Sequence, residues 1–130
     1  MIVVDASALV ELLTRSPAAE TVEDFLMRNR DGLHAPHLVD VECAHVIRRF
    51  VQLGIMQSEH AQISIGSLQN FRLIRHSHVP LLGRVWALRA SFTAYDAVYV
   101  ALAESLQAPL LTRDKRLARA AAAYVQSQAI

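Results

Sequence analysis

Apolar positions along the chain fall into brief β-branched runs and longer stretches with helical spacing. Ile2, Val3 and Val4 form an unbroken run that stops at Asp5, the pattern of a strand buried on both faces. Residues 6–14 then predict a helix. Pro17 stands where a first helical turn tolerates it, and residues 18–30 predict a second helix that Asp31-Gly32 ends. Residues 33–35 predict a second strand, residues 38–53 a helix closed by Gly54, and residues 58–71 another with Glu59 early in it. Leu73 and Ile74 sit in a third strand, and Pro80 opens a helix running to Arg89. Residues 97–106 are apolar almost all round, which predicts a buried helix. Residues 110–112 make a fourth strand and residues 114–124 a last helix. The residues after Val125 are left to add an edge strand.

Strands alternating with helices predict an α/β fold, one domain over residues 1–130, with helices on both faces of a short parallel sheet of four to five strands. In such sheets ligands bind beyond the carboxyl ends of the strands, where strand order reverses. Asp5 ends the first strand and Asp114 lies just past the fourth. If those strands are neighbours, the two carboxylates share one rim.

Composition narrows the classes. The 130 residues are 53% apolar, yet no uninterrupted run approaches the roughly 20 residues of a membrane span. MIVVDASALV has no basic start and meets an acid at position five, unlike a signal peptide. Cys43 is the only cysteine, so no internal disulfide forms and a reducing cytoplasm is expected. It reads as a small core residue of an apolar helix face. The four glycines are scattered, against a phosphate-cradling loop. His34 with His37 and His76 with His78 lie in or beside loops with no Cys or acid to complete a zinc pattern, and read as exposed structural histidines. Trp86 with Leu82, Val85 and Leu88 reads as helix packing.

Four acids carry the candidate chemistry, and each has an ordinary explanation. Asp5 and Asp114 are placed to cap helices. Thr93 and Asp96 fit a capping box, and Glu42 meets the positive end of a helix dipole. All four lie at helix starts, which gather at the carboxyl-end rim of a parallel sheet. Asp96 also opens an almost wholly apolar helix, a costly place for an acid without a partner. Two carboxylates about 5 Å apart repel by roughly 3 kcal/mol at an effective dielectric near 20. Such a cluster therefore needs protons or cations at neutral pH. Oxygen ligands without nearby His or Cys suit Mg²⁺ or Mn²⁺ rather than zinc.

MIVVDASALVELL, the acid in VDVECAHVIRR, TAYDAVYVALAE and LLTRDKRLA stand in the order and spacing of the PIN domain. Over essentially its whole length the chain resembles the VapC-type ribonuclease toxins of prokaryotic toxin–antitoxin pairs. The resemblance implies a PIN-like three-layer α/β/α fold. It also implies that Asp5, Glu42, Asp96 and Asp114 ligate one or two Mg²⁺ or Mn²⁺ ions that drive RNA hydrolysis, with Ser7 and Thr112 supporting the site. Some members carry a further acid just after the position of Asp114, where this chain has Lys115, Arg116 and Leu117. Asp40 is a helix-start acid that could assist Glu42. The implied partners are RNA, a cognate VapB-type antitoxin and a second copy of the chain.

Charge distribution adds to this picture. Thirteen bases against twelve acids give +1, and setting aside the four rim acids leaves 13 − 8 = +5. The bases are nearly all arginine, which grips phosphate bidentately and stacks on bases. Arg113, Lys115, Arg116 and Arg119 cluster beside Asp114, and Arg49 follows Glu42 by seven residues, near the same helical face. These read either as a solvated or ion-paired surface or as phosphate contacts beside the rim. Two rival functions remain. A receiver-like phosphoryl-transfer domain would need an acid after the third strand, where RLIRHS has none. A non-catalytic PIN-like binding or assembly protein would have no need of all four acids.

Overall fold

The computed structural model describes residues 1–28 and 31–130. Its frame is one sheet of five parallel strands in the order β3-β2-β1-β4-β5. The strands are β1 (Ile2–Val4), β2 (Leu33–Pro36), β3 (Ile74–His76), β4 (Leu110–Thr112) and β5 (Ser127–Ala129). Every residue of β1 and β4 is buried, as continuous apolar runs between two helical layers require.

The helices are α1 (Ala6–Leu13), α2 (Ala19–Met27), α3 (Leu38–Gln52), α4 (Ser58–Asn70), α5 (Leu82–Ala87), α6 (Ala94–Leu106) and α7 (Lys115–Ala121). From β1 the chain winds outward through β2 to β3, then crosses back over β1 to β4 and on to β5. Right-handed crossovers put α1 to α4 on one face and α5 to α7 on the other. The packing agrees: α1 lies on α3 and α3 on α4, whereas α5 lies on α6 and α7 on β4 and β5. α6 is the buried helix that its composition predicts, enclosed from Ala97 through Ala103. Among the described residues no helix is long and apolar enough to cross a membrane.

The α/β expectation holds, with differences at the boundaries. β3 runs over Ile74–His76 instead of Leu73 and Ile74, because parallel pairing aligns Ile74, Arg75 and His76 with His34, Ala35 and Pro36. A strand this short and polar has no alternation to betray it. Pro80 opens a 3₁₀ turn, Val79–Leu81, before α5 begins. α7 stops at Ala121, since the chain must turn through Tyr124 and Val125, whose N–H groups both reach the Ala121 carbonyl, to enter β5. The expected end of α2 at residues 29 and 30 lies outside the described residues. Gly54 closes α3 at φ +71, a left-handed conformation that glycine adopts without strain.

One polar expectation is corrected. His34 is not an exposed loop histidine: it lies in β2, only 6% exposed, with its Nδ1 2.8 Å from Nε2 of His76 in β3. Polar flanks suggested loops because both strands are very short. Asp40 is the helix-start acid expected in the first turn of α3, and it is also paired. Both its oxygens accept from Arg75, at 2.7 and 2.9 Å, tying α3 to β3 in a bidentate pair.

Candidate active site

The sheet order puts β1 beside β4 at the point where the winding reverses, so the ends of these strands frame the crevice where such sheets bind ligands. Val4 pairs with Leu111, which brings Asp5 level with Thr112. The Asp5 N–H donates to the Leu111 carbonyl at 3.1 Å and locks that register.

Asp5 is the buried corner, 7% exposed. It caps α1: its Oδ1 accepts from the Ala8 N–H at 3.1 Å and from Ser7 Oγ at 2.6 Å, and its Oδ2 accepts from Thr112 Oγ1 at 2.5 Å. Ser7 and Thr112 each have one hydroxyl proton, and both protons go to Asp5. Their lone pairs face backbone donors in the loop after β4. Ser7 accepts from the Arg113 N–H at 2.8 Å, and Thr112 accepts from the Asp114 N–H at 3.0 Å. The two hydroxyls thus bolt the loop carrying Asp114 to the strand end carrying Asp5.

The other acids arrive from three helices. Asp114 caps α7, its Oδ1 accepting from the N–H groups of Arg116 and Leu117. Asp96 stands in the first turn of α6 behind the Thr93 cap, whose hydroxyl accepts from the Asp96 N–H at 3.2 Å. Glu42 is half-buried on α3 and accepts a 2.7 Å hydrogen bond from the Tyr99 hydroxyl. Capping and ligation are not exclusive, because a carboxylate has about four lone-pair directions and a cap uses one or two.

The acids share one electrostatic environment. Burial pushes the Asp5 carboxyl up; the hydrogen bonds of Ser7, Thr112 and Ala8 pull it back, and the Asp96 charge raises it again. Glu42 is raised by burial, eased by Tyr99, and raised further by Asp5 and Asp96. Asp96 is raised by burial and by Asp114, while Thr93 and Arg116 lower it. Each of the four therefore meets the field of at least one other. Among the described residues no three His, Cys, Asp or Glu side chains are placed to hold an ion as they stand. Closing around one calls for side-chain rotation, which the exposed Asp114 and the half-buried Asp96 and Glu42 leave room for. The donor set is all carboxylate, the chemistry of a hard divalent cation.

The basic residues divide. Arg113 leans onto Glu11 of α1, with Nε 3.6 Å from Oε1. Lys115, Arg116 and Arg119 are exposed beside Asp114, and the Arg116 charge reaches Asp96. Arg49 is exposed on α3, seven residues past Glu42 and so about 10 Å further along the axis. Cys43 lies fully buried behind Glu42, its thiol pushed up to about 12 by burial and by the charges of Asp40, Glu42 and Asp5. Sequence reasoning missed Tyr99. The available signal was a hydroxyl-tipped ring three residues after Asp96 in a buried helix, since a buried tyrosine hydroxyl normally has a partner.

A five-stranded parallel sheet with an acidic switch point is the architecture of the PIN domain, whose family model matches residues 2–123. The chain belongs to the PIN-domain family. Ribonuclease VapC1 of Mycobacterium tuberculosis is 41% identical over 119 residues, which cover 91% of this chain and 89% of the relative. Ribonuclease VapC9 of the same organism is 40% identical over 118 residues, 90% of this chain and 88% of the relative. The crystal structure of VapBC2 from Rickettsia felis, bound to a DNA fragment from its promoter, contains a similar chain. That chain is 14% identical, with a TM-score of 0.70 over 99% of this chain and 98% of the other, a likeness of fold.

Proposed function

We propose that the chain is an endoribonuclease dependent on Mg²⁺ or Mn²⁺ and acts as the toxin of a toxin–antitoxin pair. The observation that carries this reading is the convergence of Asp5, Glu42, Asp96 and Asp114, from four separate elements, on the β1–β4 switch point. The ribonuclease relatives at 41% and 40% identity supply the substrate class. The VapBC2 complex supports an antitoxin partner. A second copy of the chain remains part of the reading.

Asp5, Asp96 and Asp114 hold the ion in this scheme, and Glu42 holds a water or takes its proton. A bound Mg²⁺ or Mn²⁺ supplies a hard Lewis acid that makes water nucleophilic near neutral pH and screens the charge that builds on phosphate. Ser7 and Thr112 keep the Asp5 carboxylate in one orientation. Lys115 and Arg116, beside Asp114, are the phosphate contacts of this reading, with Arg49 on α3 an outlying one. Arg113 positions the loop through Glu11 and Ser7.

The test is purified, antitoxin-free protein with total cellular RNA in Mg²⁺ or Mn²⁺, beside an EDTA control and folded Asp96→Asn. Discrete fragments that need both the metal and Asp96 are expected. Cutting that survives EDTA or the substitution would sink the site assignment. A folded protein that cuts no RNA under any of these conditions would point instead to a binding role.

A further inference from the structure

Tyr99 is 2% exposed in α6, yet it ends in a hydroxyl, and that hydroxyl reaches Glu42 on α3 at 2.7 Å. It stands three residues after Asp96, on the same side of α6 about one turn further on. Asp96 and Glu42 are thus acids of two different helices, and the ring of Tyr99 is the rigid strut between those helices. The phenol is the donor in this contact. Its proton goes to Oε1 alone.

We propose that Tyr99 is a positioning residue for the acidic site: its hydroxyl, by holding Oε1, fixes the Glu42 carboxylate relative to Asp96. The assignment rests on the metal-dependent reading given above. A carboxylate held this way meets a cation or a held water in one fixed orientation. Packing alone does not account for the group, because phenylalanine would fill the same volume without bringing a polar atom into a buried helix.

Tyr99→Phe keeps the ring and removes the donor. With folding checked by circular dichroism and urea unfolding, its Mn²⁺ binding, measured by calorimetry on the metal-free protein, is expected to weaken about 10-fold, within the range for groups that orient metal ligands. In a Glu42→Gln background the same change is expected to cost nothing more, since the hydroxyl acts through Glu42; a packing role would add to the loss in full. Unchanged Mn²⁺ affinity in folded Tyr99→Phe, or a fully additive loss in the double variant, overturns the assignment.

A measurement on the native sequence covers the case in which Tyr99→Phe does not fold. In protein labelled with 3-fluorotyrosine, the ¹⁹F line of Tyr99, identified with Tyr95→Phe and Tyr124→Phe, is expected to move on addition of Mg²⁺. A line that stays fixed while Mg²⁺ binds overturns the proposal. Mn²⁺ binding coupled to Tyr99 in a chain that cuts no RNA would break the ribonuclease reading and leave this assignment standing. A native chain that binds neither ion would overturn both.

Discussion

Two places in this molecule bury titratable side chains between strands, and they treat them differently. At the β1–β4 junction Asp5 receives three hydrogen bonds, from Ser7, Ala8 and Thr112. At the β2–β3 edge His34 has His76 as its neighbour on one nitrogen, and its other nitrogen, Nε2, is buried without a hydrogen-bond partner among the described residues. The first place is built around a charge; the second accepts a neutral ring and leaves part of its polarity uncompensated. Hydrogen-bond supply, more than burial, separates a site that holds a charged group from a core that merely tolerates a polar one.

The largest expected effect tests whether the acidic junction is working chemistry. Asp5→Asn keeps the shape and the cap but weakens the cation site. RNA cleavage is expected to fall by more than the roughly 100-fold upper end for groups that only orient metal ligands. Retained cleavage by the folded variant would reduce Asp5 to a cap.

Next comes the response to metal. At neutral pH, Mn²⁺ at about 100 times its Kd is expected to stabilise the protein by roughly 2.7 kcal/mol, read as a rise in Tm. The size of that rise should shrink with acid. Asp5, Asp96 and Glu42 are raised above their ordinary values of 3.8, 3.8 and 4.5, so they bind more protons folded than unfolded. Their contribution to the metal-free protein is full below those values and is lost as pH rises through the raised ones. A Tm shift of the same size at pH 5 and pH 7.5 would place Mn²⁺ elsewhere.

A third, smaller effect tests the hydroxyl supply. Thr112→Val removes the donor to Asp5 and the acceptor for the Asp114 N–H, and is expected to cost about 1–3 kcal/mol in urea unfolding at pH 7. No measurable cost would mean that water replaces Thr112 without loss.

The smallest effect concerns the histidines, and its sign is opposite to that of the rim. Burial and the His76 ring hold His34 below its ordinary 6.5. The contribution of the neutral ring is full above that value and is lost as pH falls through the lowered one. His34→Leu should therefore flatten the fall in Tm between pH 6.5 and 5 relative to the native chain. An unchanged slope would show that His34 is not held below its ordinary value.

The same contrast explains what could be read in advance. Ile2–Val4 ending at Asp5, and Leu110–Thr112 followed by Asp114, announce themselves because a buried strand and a helix cap are local patterns. With one rule of sheet topology they bring two acids together. The His34–His76 contact and the Asp40–Arg75 pair could not be read because the partners are distant in the chain: His76 is 42 residues from His34, and Arg75 is 35 from Asp40. Local composition makes such groups look solvated. Arg113 fits the ion-paired alternative, and its partner Glu11, on another helix, is equally out of reach of local composition. Tyr99 was overlooked for a third reason: in a helix apolar almost all round, periodicity does not mark the residue whose tip is polar, and only the chemistry of its hydroxyl does.

The single thiol of the chain lies under this arrangement, wholly enclosed, with Cys43 Sγ 4.0 Å from the Ala6 carbonyl where α3 meets α1. An alkylating reagent can reach it only when those two helices part. The protein therefore carries its own reporter: in excess reagent, the labelling rate of Cys43 counts how often the seam beside the acids opens, and a cation or partner that clamps the seam slows that clock without any probe having been added.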